Sequence, residues 1–139
     1  MLPPMTEQAD SRAVKSRRIL LVDDVSHVAA ALQEMLVEFG HRVDIVSGGE
    51  EALIKYEPGK YDLVITDYSM PRMNGGDLTQ AIRARVPRQL ILLMTSPAQA
   101  GTTKAAEAAE ADYVLPKPFS VKEFQAALAA IFSSDRHTV

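Results

Sequence analysis

Four short stretches of this chain each end an apolar run with side chains that handle charge. Leu20-Leu21-Val22 runs into Asp23-Asp24, and Leu63-Val64-Ile65 is followed by Thr66 and Asp67. Leu92-Leu93-Met94 leads to Thr95-Ser96, and Tyr113-Val114-Leu115 leads past Pro116 to Lys117. Singly, each has a plainer meaning. An Asp after a strand is usually a turn or N-cap residue, a terminal Thr a β-former, and a surface Lys a solvated charge. Brought together, three carboxylates, a hydroxyl and an ammonium make a different object. Three clustered carboxylates repel one another and do not all stay ionised without compensation. A hard divalent cation compensates them, and an all-oxygen donor set suits Mg²⁺ or Mn²⁺. Lys117 adds one more positive charge. A cation and a lysine neutralise the equatorial oxygens of a phosphoryl group while a carboxylate oxygen attacks in line. The chemistry these residue types would do together is phosphoryl acceptance.

That reading requires elements that carry all four run ends to one place. Five apolar segments of strand length recur: Ile19–Val22, Val43–Val46, Leu63–Ile65, Leu90–Met94 and Tyr113–Leu115. Between and after them lie helical patterns. Val25 to Phe39 sets Val28, Leu32, Met35/Leu36 and Phe39 on one face, with Gly40 as a stop signal. Gly49 to Tyr56 ends at Pro58-Gly59, and Gly75 to Val86 spaces Leu78, Ile82 and Val86 four apart before Pro87. Thr102 to Glu110 is alanine-rich and weakly amphipathic. Ser120 to Phe132 opens with Ser120 and Glu123 at capping-box spacing and shows Phe124, Leu128 and Ile131 as a core stripe. Five strands alternating with five helices predict an α/β fold: a doubly wound five-stranded parallel sheet covered by helices on both faces, in a three-layer α/β/α arrangement. A closed barrel needs roughly 250 residues. In open sheets of this kind ligands bind beyond the carboxyl ends of the strands. The four charged run ends all fall there.

The bulk numbers leave room for this and remove several other classes. With 139 residues the chain makes one domain. Residues 1–16 read as a flexible N-terminal arm, 17–132 as the folded domain and 133–139 as a short tail. A net charge of −3 favours neither nucleic acid nor anionic membrane. The one basic cluster, Lys15 to Arg18, reads more readily as a solvated lead into the sheet than as a binding patch. The absence of cysteine excludes disulfides, thiol nucleophiles and thiolate metal ligands, and agrees with a cytoplasmic setting. The N-terminal residues have no apolar core of a signal peptide, and no apolar run approaches the roughly 20 residues that cross a bilayer. The histidines His27, His41 and His137 show no ligand spacing.

LLVDD at 20–24, LVITDYSMPRMNG at 63–75, LLMTS at 92–96 and LPKPF at 115–119 resemble the receiver (response regulator) domains of two-component signalling, over about residues 17–132. The resemblance implies a CheY-like fold with Asp67 as phosphoacceptor. It implies Mg²⁺ held by Asp24, Asp67 and the backbone carbonyl of Ser69, with Asp23 acting mainly through bound water. Lys117 would grip a phosphoryl oxygen, Thr95 would swing toward the phosphate, the Lys117–Pro118 peptide would be cis, and Pro71 and Gly75 would shape the loop after the acceptor. By the same resemblance the domain is no separate enzyme but catalyses its own phosphorylation and dephosphorylation. The donor is a phosphohistidine on a histidine kinase or phosphotransfer protein, or a small acyl phosphate.

One departure from the family pattern concerns the output. Tyr or Phe is usual three residues before the lysine, where this chain has Val114. Tyr113 stands one residue earlier, and strand alternation assigns it to the opposite face. Pro97, after the switch Thr, is a second constraint. No helix-turn-helix pattern follows Phe132, so a stand-alone response regulator signalling by protein–protein contact is expected, through the fourth helix, fifth strand and fifth helix. No nucleic acid or membrane partner is expected. The first helix is apolar over a wide arc that includes Val25, Ala30 and Ala31. That arc suits either a kinase helix bundle or close packing on the sheet. Two alternatives remain on residue grounds: a degenerate receiver that only binds, and an aspartyl-phosphate phosphohydrolase. The latter needs a second acid two residues past the nucleophile, where this chain has Ser69.

Overall fold

The computed structural model describes residues 15–96, 104–105 and 109–133. The five apolar segments form strands β1 (Arg18–Val22), β2 (Arg42–Val46), β3 (Leu63–Asp67), β4 (Ile91–Thr95) and β5 (Tyr113–Pro116). All pairings are parallel and the order is β2-β1-β3-β4-β5. This is the doubly wound order, with the direction of winding reversing between β1 and β3. Central and edge strands differ in composition for a physical reason. β3 and β4 are buried at every position and β1 at all but its first. Both faces of these strands are covered, so their runs are apolar until the carboxyl ends, where Thr66, Asp67 and Thr95 are buried as well. The edge strands β2 and β5 are partly exposed and tolerate Arg42, Asp44 and Pro116.

The described helices are α1 (Ser26–Glu38), α2 (Gly49–Lys55), α3 (Gly75–Arg85) and α4 (Val121–Ser133). One face of the sheet, with Ile19, Leu21, Ile65, Leu92 and Met94, packs on α1 and α4. The other, with Leu20, Val22, Val64 and Ile91, packs on α2 and α3. The expected helix over 102–110 falls mostly outside the described residues. Within it, Lys104 and Ala105 are helical and the Ala109 N–H bonds the Ala105 carbonyl at 3.1 Å. Pro97 and His137 also lie outside them.

The helix ends follow local chemistry. Val25 is extended (φ −99°) and caps α1 rather than starting it. At the other end Gly40 takes φ 101°, its N–H bonds the Val37 carbonyl and the His41 N–H bonds that of Leu36. These two bonds satisfy carbonyls that the helix would otherwise leave open. α4 has the expected capping box: Glu123 N–H to Ser120 Oγ at 3.0 Å and Ser120 N–H to Glu123 Oε1 at 2.8 Å. The apolar arc of α1 divides. Ala29 is buried, whereas Ala30 and Ala31 are exposed and Val25 is 39% exposed, so close packing on the sheet does not account for all of it.

Candidate functional site

Strand register determines which side chains meet. Val22 lies beside Thr66, Asp67 beside Met94, and Thr95 beside Pro116. Asp23, Asp67, Thr95 and Lys117 therefore leave four adjacent strands at the same carboxyl edge. One carboxylate oxygen from each of Asp23, Asp24 and Asp67 lies within 4.8 Å of the others. Asp23 and Asp67 are 2% and 6% exposed, while Asp24 is open to solvent. Lys117 reaches in from β5 and places Nζ 2.9 Å from Asp67 Oδ1. Thr95 is fully buried, and its Oγ1 has no hydrogen-bond partner among the described residues. Ser69, half-buried, begins the loop after β3.

The electrostatics of the cluster are adverse as it stands. Burial pushes the Asp67 carboxyl above its ordinary range; the Lys117 hydrogen bond and charge pull it down, Asp24 pushes it up, and the Tyr68 backbone pulls it down. Asp23 is likewise raised, by burial first, against the hydrogen bond from Val25, with the charges of Asp67 and Asp24 adding to the rise. Its two oxygens fare differently. Oδ1 accepts the Val25 N–H at 3.0 Å, whereas Oδ2 is buried without a hydrogen-bond partner among the described residues. An orphaned carboxylate oxygen costs free energy unless a cation or donor meets it. Beside two further carboxylates, it forms an oxygen-only donor set that fits Mg²⁺ or Mn²⁺.

The β3–α3 loop is held tightly behind Asp67. Tyr68 N–H bonds the Met94 carbonyl at 2.8 Å, and the Gly75 N–H returns to the Tyr68 carbonyl at 2.7 Å. That return requires glycine: a Cβ on Gly75 would stand 2.4 Å from the Asp67 carbonyl oxygen and 2.6 Å from Leu93 Cδ2. α3 then starts from a capping box, Asp77 N–H to Asn74 Oδ1 at 2.8 Å and Asn74 N–H to Asp77 Oδ2 at 3.4 Å. The N-x-x-D spacing of Asn74 and Asp77 is a sequence signal for it that the reading above did not use. Arg72 adopts a left-handed φ of 69° and pairs with Glu50 of α2 at 3.1 Å. The Lys117–Pro118 peptide is cis.

Tyr113 and Val114 occupy opposite faces of β5, as alternation requires. Tyr113 packs on the α1/α4 side, and Val114 packs against Leu93 and Ala109 on the other. Against those same two residues lies Tyr68, next in sequence to Asp67, which the sequence reading passed over. A cavity of about 580 Å³ lined by Arg17, Phe39, His41 and Phe132 lies at the opposite, amino end of the strands. Of the three clustered carboxylates only Asp24 is exposed. Among the described residues no helix is long and apolar enough to cross a membrane.

Residues 19–129 match the response regulator receiver domain family. Over 107 residues the chain is 37% identical to the regulatory protein VanRB of Enterococcus faecalis, covering 77% of this chain and 48% of that protein. Over 116 residues it is 33% identical to the alkaline phosphatase synthesis transcriptional regulatory protein PhoP of Bacillus subtilis, covering 84% and 48%. The chain thus spans about half the length of these curated relatives. Among solved structures it is similar to the receiver domain of the sensor histidine kinase PA1611 of Pseudomonas aeruginosa, which holds a magnesium ion in its active-site cleft. That pair shares 30% identity and a TM-score of 0.78, covering 86% of this chain and 99% of that one. The receiver domain of HemR from Leptospira biflexa is 34% identical with a TM-score of 0.75, covering 84% and 94%.

Proposed function

Because the chain belongs to the response regulator receiver domain family, we propose that it accepts a phosphoryl group on Asp67 and signals by protein–protein contact in the cytoplasm. The donor is a phosphohistidine of a histidine kinase or phosphotransfer protein. The observation that carries this reading is the pairing of Asp67 Oδ1 with Lys117 Nζ at 2.9 Å, beside a second buried carboxylate with an orphaned oxygen. The Lys117 hydrogen bond and charge favour the ionised form of Asp67, the nucleophilic one, against the burial that raises its pKa. A carboxylate oxygen of Asp67 attacks phosphorus in line. The new O–P bond forms as the N–P bond of the phosphohistidine breaks, and the imidazole leaves with the electron pair. Mg²⁺, held by Asp23, Asp24, Asp67 and the backbone carbonyl of Ser69, supplies neutralisation of the phosphoryl oxygens when bound. Lys117 then grips one phosphoryl oxygen, and Thr95 Oγ1, with no competing partner among the described residues, donates to another. Hydrolysis reverses the state: water attacks phosphorus, the O–P bond to Asp67 breaks and the carboxylate is restored. In this sense the chain catalyses its own phosphorylation and dephosphorylation.

The test is intact-mass measurement after incubation with Mg²⁺ and acetyl phosphate. A gain of one phosphate that is absent from Asp67→Asn is the expected result. No gain, or a gain that persists in Asp67→Asn, would sink the proposal. A second reading is favoured by the length of the relatives, which are about twice as long and include named regulators of transcription. In that case the same receiver passes its signal within one longer polypeptide. The size of the natural product separates the two: 15.2 kDa for a stand-alone regulator, a larger mass for the other.

A further inference from the structure

Resting on the phosphoacceptor reading, we infer that the ring of Tyr68 is the side chain through which loading of Asp67 reaches β5, a role that Val114 is not equipped to fill. Val114 has no polar atom and only a short aliphatic side chain. Tyr68 is bonded directly to the acceptor residue, and its backbone ties the site together through Met94 and Gly75. The half-buried ring packs against Leu93 and Ala109. Leu93 is the cross-strand neighbour of Val114. A continuous packed path therefore runs from Asp67 through Tyr68 and Leu93 to Val114 on β5.

Small residues give that ring room to change position. A Cβ on Gly76 would stand 3.1 Å from Tyr68 Cε1 and 3.6 Å from the Ala109 Cβ, so the space beside the ring exists because residue 76 has no side chain. Ala111 lines the same patch. Among the described residues the ring is its only aromatic member. Where a well-packed core permits few intermediate positions, such a side chain moves between discrete arrangements. Adding a phosphoryl group one residue away shifts the backbone that carries it.

The chain contains a suitable reporter. Tyr113 begins β5 on its other face, two strands from Asp67, so its resonance responds to movement of β5 rather than to the added charge directly. The protein is prepared with 3-fluorotyrosine, its four tyrosine signals are assigned by single Tyr→Phe exchanges, and spectra are taken before and after loading with acetyl phosphate and Mg²⁺. Intact mass is measured on the same samples. Wild type and Tyr68→Phe are expected to show a loading-dependent shift of the Tyr113 signal. Tyr68→Ala and Tyr68→Leu are expected to gain one phosphate yet lose that shift, and Tyr68→Leu keeps the patch apolar should Tyr68→Ala fold poorly. An undiminished Tyr113 shift in the Leu or Ala variant overturns the inference. So does a fully phosphorylated wild type whose Tyr113 signal does not move. A wild type that gains no phosphate refutes the phosphoacceptor reading first, and this inference with it.

Discussion

Asp23→Asn is expected to make the metal-free protein more stable, although it removes a residue from the centre of the site. Asp23 and Asp67 are both nearly buried and their carboxylate oxygens lie within 4.8 Å. At that separation and an effective dielectric of about 20, two unit charges repel by roughly 3.5 kcal/mol. Asp24 is exposed, and its share is discounted for solvent screening. Against this stands the attraction of Asp23 to Lys117, which the substitution also removes. The Asn carbonyl can still accept the Val25 N–H that Asp23 Oδ1 now accepts at 3.0 Å. Its amide replaces the partnerless Oδ2 with a donor among carboxylates. The net expectation is a gain of about 1–2 kcal/mol, or roughly 4–8 °C in Tm. Urea unfolding in EDTA and in excess MgCl₂ reads both halves of the argument. Wild type should gain stability with Mg²⁺ as ligand binding to the native state requires, about 2.7 kcal/mol at a hundredfold excess over Kd. The variant should gain far less. An Asp23→Asn protein less stable than wild type in EDTA would refute the claim that repulsion dominates this cluster.

Lys117→Ala removes the one cation paired with Asp67 among the described residues. The initial rate of mass gain from acetyl phosphate should fall by about 10²–10³-fold, the usual effect of deleting a donor to developing phosphoryl charge; a loss under tenfold would contradict its role. Gly75→Ala should destabilise the fold by about 1–3 kcal/mol in urea unfolding, because its Cβ meets backbone at 2.4 Å rather than a flexible side chain. His41 Nδ1 accepts the Arg17 N–H at 3.1 Å, and burial, then the Arg17 charge, lowers its pKa below the ordinary 6.5. The unfolded chain therefore binds the proton more readily, so this contribution is complete above pH 6.5 and is lost as pH falls toward the folded value. His41→Gln should flatten that part of the stability–pH curve, as urea midpoints at pH 5.5 and 7.5 would show.

What could be read from the sequence depended on how locally each feature is encoded. β1, β3 and β4 were legible because strands covered on both faces favour continuous apolar runs. The polar and charged residues ending those runs were legible because parallel topology sends all carboxyl ends to one edge. The α4 capping box was written in the spacing of Ser120 and Glu123. The boundary at Val25 shifted by one residue, since its extended backbone is set by the bond to Asp23 and not by the apolar period that continues through it. The packing of Tyr68 was not legible at all. Its neighbours Gly76, Leu93 and Ala109 lie at unrelated sequence separations and meet only after β4 pairs with β3. The pair of Arg83 with Asp112 at 2.6 Å is of the same kind: two charged surface positions that become partners only through the order of the sheet.

The two connections from Asp67 to β5 differ in stiffness, and the difference bears on how the signal leaves. One runs through Lys117, whose ammonium is paired with Asp67 and whose backbone N–H bonds the Thr95 carbonyl at 2.7 Å. Proline lies on both sides of it, at 116 and 118, and fixes φ at each position. A lysine so constrained can hold a phosphoryl oxygen with little displacement of its strand. The other connection runs through Tyr68, half-buried against aliphatic neighbours and beside the side-chain-free Gly76. On the proposed loading of Asp67, displacement would concentrate in the softer of two paths that share their ends. The stiff path is then suited to grip and to chemistry, and the soft one to transmission. An aliphatic Val114 suits that division, because it passes on the movement of Leu93 without a ring of its own to reorient.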